Sequence, residues 1–120
     1  MFRDTGDILD RGSIAKLKSE RIQVTEEWEA FSVEIEILID NHPDVPIKNL
    51  FDLLYKINAM IWDLESDLRK GKLDGALTEV GLRAISIREH NNLRVQVKNI
   101  ANFLTKEGFQ DIKKDHISET

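Results

Sequence analysis

A chain of 120 residues that is 41% apolar and 32% charged has the balance of one folded, water-exposed domain rather than a disordered segment. It contains no cysteine, which removes disulfides, thiolate metal sites and cysteine nucleophiles. A net charge of -5 argues against a general nucleic-acid binder. No apolar run reaches the roughly 18 residues of a membrane span, and the first residues lack the apolar stretch of a signal peptide, so the cytoplasm is the expected compartment.

Six glycines and two prolines leave few helix breakers, and the apolar pattern is helical nearly throughout. Met1–Ser13 is polar apart from Phe2, Ile8 and Leu9. Asp7–Arg11 suits a first turn, Gly12 weakens it, and Ser13 is the alternative N-cap of the main helix. From there Ile14, Leu17, Arg21, Val24, Trp28, Phe31, Ile35 and Leu38 alternate by three and four. That seam predicts one long helix over 13–40, packing at a shallow coiled-coil angle, with a salt-rich outer face that is acidic in its second half. Asn41–Pro46 is a turn cluster, with Asp44 placed to cap the next helix and Pro46 in its first turn.

The second helix, 46–70, carries two apolar stripes. Leu50, Leu54, Ile57, Ile61, Leu64 and Leu68 form one; Phe51, Tyr55, Asn58, Trp62, Glu65 and Arg69 run beside it. Two stripes call for neighbours on two sides, which makes this the expected central helix. Gly71 is a natural C′ residue, and Asp74 the expected cap of a third, antiparallel helix over 75–106. In it Leu77, Val80, Ala84 and Ile87 slip in phase before Leu93, Val97, Ile100 and Leu104. The polar block Arg88–Asn92 between them predicts a kink, a short break or a polar role. Gly81 suits a close helix approach or is incidental. Gly108 should stop the helix, leaving a frayed tail or a short helix around Phe109 and Ile112. The expected fold is all-α: one domain over 1–120, an elongated antiparallel three-helix bundle with coiled-coil-like packing. So thin a rod predicts a homodimer that covers its apolar faces.

Motifs for nucleotide, zinc or metalloprotease chemistry are missing, and no metal site or cofactor is expected. His42, His90 and His116 read as solvated. Asp63, Glu65 and Asp67 could join Glu26, Glu27, Glu34 or Glu36 in a Mg²⁺ array, but the seam points Asp63 and Asp67 outward, where an acidic face is ordinarily wet. The packed faces themselves hold charge. Asp10 and Arg21 fall in phase with Ile14 and Leu17; Asn58 and Glu65 fall in phase with Tyr55 and Trp62. Such groups need partners, because an unpaired buried charge costs several kcal/mol. A network of Asp10, Arg21, Asn58, Glu65, Arg94 and Lys98 would fix helix register; Arg21, Arg69, Arg94 and Lys98 could instead hold a small anion.

Three segments, ILDRGSIAKLKSERI (Ile8–Ile22), INAMIWDLESDLR (Ile57–Arg69) and NNLRVQVKNIAN (Asn91–Asn102), resemble a family of small helical proteins of bacteria and phages with no assigned activity, sometimes encoded near cell-surface sugar biosynthesis genes. The family-like positions are Asp10, Arg11, Ile14, Lys18, Asn58, Trp62, Glu65, Arg69, Asn91, Arg94, Lys98 and Asn102. The resemblance thus adds Arg11, Lys18, Asn91 and Asn102 to the polar positions. Ser66 and Asn92 stand where the family pattern has acidic residues, which counts against a catalytic reading.

These readings predict a non-catalytic helical interaction or oligomerisation protein, a homodimer or an adaptor for another protein. The alternative is a binding protein, or a Mg²⁺-dependent hydrolase, for a phosphorylated small molecule held by the polar network. Single-stranded nucleic-acid binding through Arg83, Arg88, Arg94 and Lys98 is disfavoured by the acidic total.

Overall fold

The computed structural model describes residues 3–71 and 77–106. Among them the chain forms four helices and no strand: α1 (Thr5–Arg21), α2 (Glu26–Asn41), α3 (Ile47–Arg69) and α4 (Leu77–Thr105). All-α holds, but the three-helix bundle does not, because the expected first helix is two. Asp74, Gly75, Gly108, Phe109 and Ile112 lie outside the described residues.

The first helix begins at Thr5, not at Ser13. Asp4 caps it, its carboxylate accepting from the Asp7 backbone N–H at 2.7 Å. Ser13 sits inside the helix, and its hydroxyl donates to the Asp10 carbonyl at 2.7 Å. The helix stops at Arg21, and Gln23 turns the chain at a positive φ of 57°. The break follows Arg21, the one polar member of the three-four repeat, and it lets the chain reverse so that Phe31 and Ile35 pack on α1 instead of continuing one thin rod. After it α2 folds back along α1. Phe31 and Ile35 lie against Gly12, and Glu27 pairs with Lys18 at 3.4 Å.

The centre of the fold is α1 rather than α3. It packs against all three other helices, whereas α2 and α3 meet only narrowly. What suits it to this place is thinness. Its buried positions include Gly6, Gly12, Ser13 and Ala15, which let neighbouring helices approach from several sides. Leu9 and Leu17 fill the remaining gaps with no exposure at all.

The two stripes of α3 are used as their spacing suggests. Leu54, Ile57 and Ile61 are buried in the core with Val97 and Ala101 of α4, and Phe51 stacks on Trp28 of α2 with ring centroids 5.7 Å apart. Asp44 does not cap this helix; Pro46 is the N-cap residue and no side chain bonds the first turn. Gly71 ends it at a φ of 67°, the left-handed conformation expected of a C′ glycine. α4 runs through Arg88–Asn92 without a break, the His90 ring Nδ1 lying 2.7 Å from the Ser86 carbonyl. Among the described residues nothing approaches within 4 Å of where a Gly81 Cβ would stand, so that glycine serves no close packing between them. The helices spread into a slab of 49 × 42 × 25 Å, broader than the thin rod expected.

The end of α1 is tied to α3 by Tyr55, whose hydroxyl donates to the Glu20 carboxylate. That bond raises the Tyr55 pKa, with burial and the Glu20 charge adding to it. A phenol whose pKa is higher in the folded state stabilises the fold fully below its unfolded value near 10 and ceases to as pH rises through the folded value. Tyr55→Phe should therefore lower stability by about 1 kcal/mol at neutral pH. In urea unfolding at successive pH values, the gap between the two proteins should close at strongly alkaline pH. A gap that widens there would contradict this role.

Candidate functional site: a polar seam and the cleft beside it

The seam begins where α1 and α4 come closest. A Cβ on Gly6 would stand 2.4 Å from the Lys98 carbonyl oxygen, so only glycine lets the two backbones meet. At this contact the Gly6 backbone N–H, one of the unpaired donors of the first helical turn, is taken by the Asn102 side-chain oxygen at 2.7 Å. Thr5 and Thr105 join beside it, their hydroxyls 2.9 Å apart.

One turn further along α1, Asp10 is 1% exposed. Arg94 grips it from α4 with Nε and Nη2, each 2.8 Å from a different carboxylate oxygen. This is the two-pronged geometry that favours arginine over lysine. Lys98 stands 3.8 Å from Asp10 and 3.8 Å from Asp7. From α3, the Asn58 amide donates to Asp10 at 3.0 Å and to the Ser13 hydroxyl at 2.8 Å. Three helices thus converge on one carboxylate, and no fully buried side-chain polar atom is left without a partner among the described residues.

Beside this seam opens a cleft of about 290 Å³. Its apolar lining comes from Ile14 and Leu17 of α1 and from Ile61 and Trp62 of α3. Its polar lining is Asn58, Glu65 and Arg69 of α3 with Asn91 and Arg94 of α4. Both Asn58 amide protons are committed to the seam, which leaves its carbonyl oxygen for the cleft. Asn91 accepts from Arg94 Nη1 at 3.3 Å. Glu65 is half-buried and Arg69 exposed, and neither has a hydrogen-bond or ion-pair partner among the described residues.

The residues singled out from sequence therefore separate into groups. Asp10, Asn58, Arg94 and Lys98 meet in the seam, and Asn102 belongs to its far end. Glu65, Arg69 and Asn91 line the cleft. Two residues go elsewhere. Arg21 pairs with Asp63 and lies over the Trp62 ring, its guanidinium carbon 5.7 Å from the centroid, and Lys18 reaches Glu27. Both lie within α1 but two to three turns beyond Asp10, roughly 12 to 16 Å along the axis, out of reach of the seam. Ser13 and Asp7 were missed by the sequence reading. The signal for them was available, since each lies three residues from Asp10 and so shares its face of α1.

The proposed carboxylate array does not assemble. Asp63 answers Arg21, Asp67 pairs with Arg83 at 3.1 Å, and Glu27 answers Lys18. No three acidic or histidine side chains gather to hold a metal ion among the described residues, and no helix of the described chain is long and apolar enough to cross a membrane. Three of the four cations suggested for single-stranded nucleic acid, Arg83, Arg94 and Lys98, are matched by carboxylates. No family model matches this chain, and neither a curated protein nor a solved structure matches it.

Proposed function

We propose that this chain is a helical binding protein whose cleft takes a small zwitterion with an apolar body. The observation that carries this reading is the cleft's acid–base pair, Glu65 and Arg69, without partners among the described residues and set beside an apolar lining next to the seam.

Charge decides the ligand class. The Arg94 charge is answered by Asp10, so Arg69 is the one cation of the cleft with no carboxylate partner among the described residues, and Glu65 stands beside it. A phosphate about 5 Å from Glu65 would meet roughly 3 kcal/mol of repulsion per unit charge at an effective dielectric of about 20. A zwitterion meets no such conflict. Its carboxylate faces Arg69, its ammonium faces Glu65 and the Asn58 carbonyl, and its side chain lies on Ile14, Leu17 and Trp62. This sets an amino-acid-like ligand ahead of the phosphorylated one that arginines alone suggested.

The test is to titrate isotope-labelled protein with leucine, N-acetyl-leucine and inorganic phosphate while following the Trp62 indole and Asn91 amide resonances. Leucine should shift both saturably, and N-acetyl-leucine, which lacks the cation, more weakly. Arg69→Ala and Glu65→Gln should each weaken leucine binding about 10- to 100-fold, the worth of one charge-assisted hydrogen bond. Phosphate binding more tightly than leucine would overturn the zwitterion reading. Silence from all three at millimolar concentration would remove the cleft as a binding site.

A further inference from the structure

The outer face of α4 carries an apolar stripe that the fold leaves open. Leu82 is 55% exposed, Ile85 44%, Leu93 47%, Ile100 49% and Leu104 40%. With Glu89 and Gln96, both exposed, these residues follow one another by three or four positions and share one face of the helix. At 3.6 residues per turn this face is centred about 100° from the one holding Arg94, Val97 and Ala101. The stripe therefore lies to the side of the face that meets core and cleft.

Its order is the informative feature. From either end it reads apolar, apolar, polar, apolar, polar, apolar, apolar, with Leu93 at the centre. A surface with this symmetry matches its own copy running the opposite way. Leu82 meets Leu104, Ile85 meets Ile100, Leu93 meets Leu93, and each Glu89 meets a Gln96 that can donate to its carboxylate. Parallel pairing sets Glu89 against Glu89, a like-charge contact that disfavours it. Both directions bury the same apolar residues. The polar pair chooses between them.

We propose that two copies of this chain associate through the outer faces of α4, antiparallel, about a two-fold axis at Leu93. The contact is isologous and closes on itself, so it yields a dimer rather than a filament. Because the cleft residues Asn91 and Arg94 lie off this face, each copy keeps its cleft open. The dimer stands or falls independently of the ligand proposed above.

Sedimentation velocity across the micromolar range should find a species of twice the 13.8 kDa chain mass. Leu93→Asp, which sets two carboxylates on the axis, should give the single-chain mass with an unchanged helical circular dichroism signal. Since the chain has no cysteine, single-cysteine variants report direction cleanly. Leu93→Cys should cross-link to itself on mild oxidation and Leu82→Cys should not. Equal cross-linking at both positions would mean a parallel pair, and a Leu93→Asp dimer would place the contact elsewhere; either result overturns the proposal. So does a single-chain mass for the unaltered protein, in which case the stripe serves another partner or residues 107–120 of the same chain.

Discussion

Arg94→Ala should lower the stability of this protein by roughly 3 to 5 kcal/mol, the loss expected when one partner leaves a buried ion pair. The reason is the position of Asp10. At 1% exposure its carboxylate cannot turn to water, and with Arg94 gone it keeps only the Asn58 amide at 3.0 Å and the Lys98 ammonium at 3.8 Å. The reverse change should be milder. Arg94 has 31% of its side chain exposed and lines the cleft, so after Asp10→Ala the guanidinium can hydrate, for a loss of about 2 kcal/mol. Urea unfolding of the two variants gives the comparison. A loss below about 1 kcal/mol for Arg94→Ala would reduce the pair to an ordinary surface salt bridge. The double variant Asp10→Leu/Arg94→Leu asks a separate question, since apolar replacements of buried pairs are often neutral. It should be more stable than Arg94→Ala. If it also loses a single well-dispersed NMR spectrum, the pair's role is to specify helix register.

The second large effect belongs to a single methyl group. Gly6→Ala should destabilise the fold by at least about 3 kcal/mol, because the new Cβ would lie 2.4 Å from the Lys98 carbonyl oxygen and 2.9 Å from the Lys98 Cα. These are backbone atoms of α4, which cannot rotate aside. Relief requires parting the helices, which also lengthens the Gly6–Asn102 hydrogen bond and loosens the seam. Gly12→Ala is the control. Its Cβ would lie 2.8 Å from the Ile35 Cδ1, the far end of a side chain that can shift rotamer. Alanine also favours a helix over glycine by about 1 kcal/mol, so Gly12→Ala should fall within about 1 kcal/mol of the unaltered protein. Thermal unfolding of the pair checks this, and equal losses would contradict the distinction between backbone and side-chain contact.

Both predictions rest on α1, the helix that periodicity described least well. Its burial is carried by glycine, serine, alanine and aspartate as much as by leucine, and such residues leave little apolar signal. Gly12 reads in isolation as a helix weakener. In the fold it is the place where Phe31 and Ile35 of α2 press in. A pattern of large apolar residues reports how much surface a helix buries, not how closely its neighbours approach. This is why α3, with two obvious stripes, was expected at the centre that α1 occupies.

Much of the polar seam was nonetheless legible. Asp10 and Asn58 fell in phase with apolar residues of their own helices, and a charge in a packed stripe demands a partner. The partner's identity was not legible in the same way, because Arg94 lies 84 positions from Asp10 and meets it only once α4 has docked. Arg21 illustrates the limit. It shares the phase of Asp10, but it stands three turns further along α1, where α3 offers Asp63 instead.

By itself, then, the amino-acid order determined the all-helical class, the span of α3 with its glycine stop, the continuity of the apolar faces and the need for a buried polar network. These follow from local propensity and from spacing within one helix. The tertiary structure decided which helix is central, where the first long seam breaks, which carboxylate Arg94 grips and which polar residues face a cleft. Each depends on contacts between residues distant in the chain, whose distances are set by helix docking rather than by any local preference.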